Sequence, residues 1–171
     1  MTAKQKATWF NYVWQLGIAA VFTFCVLYLF KGTNQKDVLW ALGVSSLASS
    51  AFIIFTSPKG KTAAERRVLV AYFINMALGA ITHYCLRSMI GAGGMFIGNG
   101  FLIFSVFASI AVILSMLCMV FFDAKHPPAV GICLILVIDM KRYYIIAVIA
   151  ISALVLAVLH LTLKRWLRDL H

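Results

Sequence analysis

Apolar residues fill six stretches of the chain, separated by short polar breaks. The first covers about 12–30 (YVWQLGIAAVFTFCVLYLF) and the second about 38–56 (VLWALGVSSLASSAFIIFT). The third covers about 68–90 and the fourth about 101–122. A short run follows at about 127–140, then a last long one at about 143–163. Five of these are at or near the ~20 residues a helix needs to cross a bilayer. The run at 127–140 is not: at 1.5 Å per residue it reaches about 21 Å, against ~30 Å of hydrocarbon. Backbone groups in lipid must be satisfied within the segment, so runs of this kind are read as helices. The pattern predicts one all-α domain over residues 1–171. It is a polytopic membrane helix bundle of five long or near-full spans plus a short half-helix. Trp9, Tyr12 and Trp14 precede or open the first span, where amphipathic rings favour the membrane interface.

Composition agrees with lipid as the solvent. Apolar residues make up 63% of the chain and charged residues 12%, with a mean hydropathy of +0.97. A soluble chain of this length has no way to hide that much apolar surface. The net charge of +10 does not imply nucleic acid, because the basic residues lie in short loops and tails between apolar runs, where orientation signals sit. If the short segment crosses, there are six crossings. Ten Lys and Arg then share the side of both termini and five lie opposite. If it turns back, the split is nine to six. The charge bias leans toward crossing, with both termini in the cytoplasm of a cell whose inner membrane holds the chain. The N-terminus shows no signal-peptide cleavage pattern, so the first span is expected to remain and to act as its own targeting signal. Six elements divide into three and three, each half with one odd middle segment. These are GVSSLASSAFIIFTSP and KHPPAVGICLILVID. Such an arrangement is compatible with a 3+3 inverted repeat, in which matching interrupted segments point to a transport site.

The odd segment at 127–140 opens with His126-Pro127-Pro128. Proline has no N–H and a fixed φ, so it suits the first turn of a helix, where N–H groups have no intrahelical partner. The residue before a proline is pushed out of the α region, which makes His126 extended. A helix starting there is expected to present free N–H groups from Ala129 and Val130 and the positive end of its dipole. Buried, that end would suit an anion, with His126 adding a donor or a proton that titrates near neutrality. The plainer reading is a rigid turn at the membrane surface. Ser45, Ser46, Ser49 and Ser50 crowd the other odd segment. They serve close helix packing, with one or two facing a cavity.

The chain resembles the HPP family of small integral membrane proteins. The resemblance is carried by His126-Pro127-Pro128-Ala129 opening a short apolar segment, and by Ala48-Ser49 running into AFIIFTSP. It is carried also by Ser57-Pro58 leading to Arg66-Arg67 at the head of a span, and by one further span after the motif. It covers most of residues 38–163. The family typically has Gly-Gly-His shortly after the arginine, where this chain has Ala71-Tyr72-Phe73, so any role resting on that histidine is in doubt. The resemblance implies a transporter, with nitrite as a named candidate substrate.

Other intramembrane polar groups are functional candidates by default. Asn75 and His83 fall within roughly 80° of each other on a helical wheel and are expected to share a cavity. Gln15 reads as structural and His160 as interfacial. Arg87 is expected to snorkel to the headgroups. Asp123 and Lys125 form a gate pair or sit in water, and Asp139 is offset by Lys141 or Arg142. Cys25, Cys85, Cys118 and Cys133 show no CxxC spacing and read as small buried hydrophobes. No P-loop, Ser-His-Asp or metal-ligand pattern is evident, so the reading is neither an ATPase nor an enzyme, and no cofactor is expected. His83, His126 and His160 lack the paired spacing a haem protein would show.

The expected function is therefore a channel or secondary transporter for a small inorganic anion. Its site would comprise His126, Pro127, Pro128 and Ala129 with Ser45, Ser46, Ser49 and Asn75. The expected partners are the bilayer, the anion and a second copy in a homodimer. The alternative is a structural or regulatory membrane subunit that transports nothing.

Overall fold

The computed structural model describes residues 3–29, 38–90, 100–138 and 143–170. Six α-helices appear in it: α1 (Ala3–Leu29), α2 (Val38–Thr56), α3 (Glu65–Ile90), α4 (Gly100–Phe121), α5 (Val130–Ile138) and α6 (Tyr143–Leu163). Single 3-10 turns at Lys61–Ala63 and Pro127–Ala129 precede α3 and α5. No strand occurs among the described residues. The expected loops at 31–37 and 91–99 lie outside the described residues. So do Asp139, Lys141 and Arg142, and the side chains of Trp9 and Tyr12.

The chain is an integral membrane protein. By length and composition α3, α4 and α6 are sufficient to cross a bilayer, over Glu65–Met89, Leu102–Phe121 and Ile146–Leu163. The described apolar stretches of α1, α2 and the motif helix are shorter: Val13–Val26, Gly43–Thr56 and Pro127–Ile138. Large apolar side chains such as Phe24, Phe73, Leu102, Leu117 and Leu154 point outward, as a lipid-facing surface requires. Cys25 and Cys85 also lie on that surface; of the four cysteines only Cys133 is fully buried, against the expectation that all would be.

The shortest helix occupies the centre. α5 buries Ile132, Cys133, Ile135, Leu136 and Val137 against α2, α3 and α4. It lies parallel to α3, and three contacts fix the register. The rings of Tyr72 and His126 are 6.0 Å apart, Gly79 meets the backbone of Cys133, and His83 Nδ1 lies 3.0 Å from the Val137 carbonyl. A Cβ at Gly79 would stand 2.7 Å from the Cys133 carbonyl oxygen, so only glycine permits this approach. The small residue thus serves packing within the chain, where either an internal or an intersubunit contact was open from sequence.

One end of the bundle is tied by polar contacts. α4 stops in a Schellman motif: Ala124 N–H reaches the Met119 carbonyl at 2.8 Å and Asp123 N–H reaches Val120 at 3.2 Å. Asp123 supplies the left-handed residue at φ 49°, a conformation Asp tolerates better than most. Its carboxylate pairs with Arg67 at the head of α3, so it is neither a partner of Lys125 nor simply solvated. Gln15 is buried, donating to the Phe55 carbonyl at 2.6 Å and to the Arg168 carbonyl at 2.9 Å. It locks α1 to the end of α2 and to the C-terminal segment. His160 is fully buried at this end of the bundle: its Nε2 bonds the Pro58 carbonyl at 2.9 Å and its Nδ1 lies 3.2 Å from Glu65, which also meets Lys164.

Candidate functional site

The motif lies at this tied end, and its residues come together as a buried cluster. His126 has φ −134° and ψ 85°, extended as the following proline demands. Pro127 and Pro128 then make the 3-10 turn that leads into α5. The turn closes on itself: Ala129 N–H bonds the His126 carbonyl at 3.1 Å, and Val130 N–H bonds the carbonyls of Pro127 and Pro128. The free N–H groups expected from Ala129 and Val130 are therefore already taken. A tight 3-10 turn satisfies the donors that an α-helical start would have left open.

His126 is completely buried. Its Nδ1 lies 2.9 Å from the Thr62 carbonyl and its Nε2 lies 2.8 Å from Ser50 Oγ. A carbonyl only accepts, so Nδ1 carries the hydrogen and Nε2 of the neutral ring accepts. Ser50 Oγ is also 2.7 Å from the Tyr72 hydroxyl and 3.0 Å from the Ser46 carbonyl. Ser46 Oγ donates to the Pro128 carbonyl. Three elements thus hold the motif: α2 through Ser46 and Ser50, α3 through Tyr72, and the turn before α3 through Thr62. His126 sits in the connection between α4 and α5, where burial pushes its ring below the ordinary value of 6.5, opposed in part by the bond to Thr62.

Beside the cluster is an open pocket of about 260 Å³. Met116, Met119, Val120, Lys125, His126, Pro127 and Val130 line it, and its surface is almost wholly apolar. Asn75 lies behind the wall: its amide donates to the Ala71 carbonyl at 2.8 Å and to Met119 Sδ at 3.5 Å, and its carbonyl accepts from Ser115. Asn75 and His83 share the inner face of α3, and neither lines this pocket. They are eight residues apart, about 12 Å along the axis, and His83 is engaged with Val137.

Of the residues expected at the site, His126, Pro127, Pro128, Ala129 and Ser46 meet directly. Asn75 is adjacent through Met119. Ser45 and Ser49 face outward from α2 and do not join. Sequence reasoning left Ser50, the partner of His126 Nε2, out of the expected site, and it missed Tyr72, Thr62 and Ser115. A signal for Tyr72 was present: Val68, Tyr72, Asn75, Gly79, His83 and Leu86 repeat at spacings of three and four, the inner stripe of α3. All six are buried. Phe73, the last residue of the Ala71-Tyr72-Phe73 stretch, points outward, while the neighbouring Tyr72 hydroxyl reaches the motif cluster. His83, His126 and His160 bond three different carbonyls, those of Val137, Thr62 and Pro58.

Comparison with known proteins supplies the context. A family model described as HPP, transmembrane region, matches residues 4–169, nearly the whole chain. A transmembrane protein of Dictyostelium discoideum is 26% identical over 148 residues. The alignment covers 84% of this chain and 48% of that relative, so the chain spans about half the relative's length. No solved structure matches.

Proposed function

The chain belongs to the HPP transmembrane family, and on that footing we propose that it is a membrane transporter of a small inorganic anion, with nitrite the first candidate. One observation carries the reading: the pocket of about 260 Å³, almost wholly apolar, that Lys125 and His126 help to line. An ammonium beside a low-dielectric wall attracts a small anion more strongly than the same group in water. The surrounding end of the bundle favours it further. Lys59, Lys61, Arg66, Arg67, Lys164, Arg165 and Arg168 lie there against Glu65, Asp123 and Asp169. The anion contact in this reading is Lys125, because the N–H groups of Ala129 and Val130 are already bonded within the turn.

On the same reading all six helices cross, with α1–α3 and α4–α6 as inverted halves. α2 and α5, the odd members, run in opposite directions and meet where Gly131 approaches Ser46. α5 with the 3-10 turn before it reaches about 20 Å along such a crossing, and the N–H groups of Ala129 and Val130 are bonded within that turn.

The test is nitrite uptake into proteoliposomes, with chloride, nitrate and formate as competitors, for wild type, Lys125→Gln and a Lys125→Arg control. Saturable uptake lost in Lys125→Gln and retained in Lys125→Arg supports the reading. Absence of uptake by folded wild type sinks it and favours a non-transporting subunit.

A further inference from the structure

The polar cluster around His126 has two complete hydrogen-bond arrangements, not one. With the ring neutral, Tyr72 O–H donates to Ser50 Oγ, Ser50 O–H donates to His126 Nε2, and Nδ1–H donates to Thr62. Every donor is used once. With the ring protonated, Nε2–H donates to Ser50 Oγ, and the Ser50 hydrogen must turn away. The Ser46 carbonyl awaits it at 3.0 Å. The Tyr72 hydroxyl, 3.4 Å from the same carbonyl, retains an acceptor as well. Moving between the two arrangements needs only hydroxyl rotations. Buried polar groups usually have one satisfied state, and an unpaired one is costly. Here both charge states of one ring are satisfied by heavy atoms already in place.

We infer that His126 Nε2 is a proton-binding site and that the proton is carried with the anion. The inference deepens the transport reading and rests on it for the identity of the co-substrate. The step balances simply: a hydronium ion of the aqueous phase gives its proton to the Nε2 lone pair and leaves water, and the imidazolium charge is offset by the single negative charge of an anion in the adjoining pocket. The pair enters with no net charge, which lowers the cost of passing through a low-dielectric interior.

Charges around the ring explain why the two events are linked. From the 57–64 connection come Thr62 and the exposed Lys61; from α2 only the Ser46 and Ser50 groups; from α3 Tyr72, with Arg67 paired to Asp123. The connection after α4 adds Lys125, which helps to line the pocket. Glu65 is engaged with Lys164 and His160 on α6. Positive groups predominate, so the empty site disfavours an imidazolium, and an anion beside Lys125 reverses that. Linkage then requires the converse: a protonated His126 tightens anion binding by the same factor.

The experiment uses the full chain in nanodiscs with nitrogen-labelled histidine, titrated by NMR with and without sodium nitrite. The His126 signal is assigned by its loss in His126→Gln. The expected result is a neutral ring with hydrogen on Nδ1 near neutral pH, whose titration midpoint nitrite raises by about one pH unit. A ring with hydrogen on Nε2, or a midpoint that nitrite leaves unmoved, overturns the inference. In parallel, proteoliposomes with an internal pH dye, corrected by protein-free vesicles, report protons entering with nitrite. Acidification in wild type that is lost in His126→Gln and reduced in Ser50→Ala supports coupling. Nitrite uptake without acidification overturns the inference while leaving transport standing. A nitrite-shifted titration without any uptake supports the joint binding site and overturns both transport and the carriage of the proton.

Discussion

The Ser46 hydroxyl donates its hydrogen to the Pro128 carbonyl, so the second proline of the motif is held from a helix 82 residues earlier in the chain. The contact joins the two odd segments of the sequence. Removing it leaves the part-buried Pro128 carbonyl with only the Val130 N–H as donor. Ser46→Ala is expected to cost about 1 kcal/mol, the usual size of an interhelical hydrogen bond in a membrane protein. That is a fall of roughly 2–4 °C in melting temperature. Ser49→Ala, on the outward face of the same helix, should stay within about 0.5 kcal/mol of wild type. Thermal unfolding in detergent compares them; equal melting temperatures would dismiss the Ser46 contact as energetically idle.

Gly79 and Gly17 make a second contrast. A Cβ at Gly79 meets the Cys133 carbonyl oxygen at 2.7 Å and its Cα at 3.1 Å, both backbone atoms that cannot rotate away. Gly79→Ala must push α5 off α3 and is expected to cost about 1–3 kcal/mol, together with the motif's geometry. At Gly17 nothing lies within 4 Å of the added atom. Gly17→Ala should be neutral or stabilising by up to about 1 kcal/mol, through helix propensity alone. The same melting assay decides, and a tolerated Gly79→Ala would contradict the close α3–α5 approach.

Much of the fold was legible because lipid imposes a strict rule on the backbone. The stretch 143–163 matches α6, and 101–122 misses α4 by one residue at each end. α1 begins at Ala3, well before residue 12, because the polar residues preceding the apolar run are themselves helix-compatible. The motif was legible as a rigid first turn, and Pro127 and Pro128 take that place. Its bonding was not. A 3-10 turn and an α-helical turn share the same sequence signature, yet they leave different donors open, so Ala129 and Val130 were misread. The burial of His160 was not legible for a related reason: its nearness to Lys164 suggested an interface, and the carbonyl that holds the ring inside the bundle belongs to Pro58, 102 residues away. Pairings at such separations leave no periodic trace along the chain.

Asp123 tests the end of α4. The residue lies in the left-handed region at φ 49° and caps the helix. Its ion pair with Arg67 has Asp123 largely exposed, so the pair should contribute little. The backbone conformation should dominate. Asp123→Gly is expected to hold or raise the melting temperature despite losing the pair. Asp123→Val, β-branched and poorly suited to this region, should cost about 1–2 kcal/mol. If both variants fall equally, the ion pair and not the cap anchors this end.

The neutral state of His126 sets a pH dependence. Burial holds the ring below its ordinary value of 6.5 in the folded chain. Above that value the ring is neutral both folded and unfolded, and contributes no slope. As pH falls below about 6.5, the unfolded chain binds a proton that the folded chain refuses, so stability is lost. The loss runs at up to about 1.4 kcal/mol per pH unit until the folded ring itself titrates. Wild-type melting temperature, in the absence of nitrite, should therefore fall more steeply between about pH 6.5 and 5.5 than that of His126→Gln, whose side chain carries no charge at any pH. Comparing the two slopes removes the contributions of the other histidines. Identical slopes would mean that the ring titrates in the folded protein as it does in the unfolded chain, and the neutral Tyr72–Ser50–His126 arrangement would fall with it.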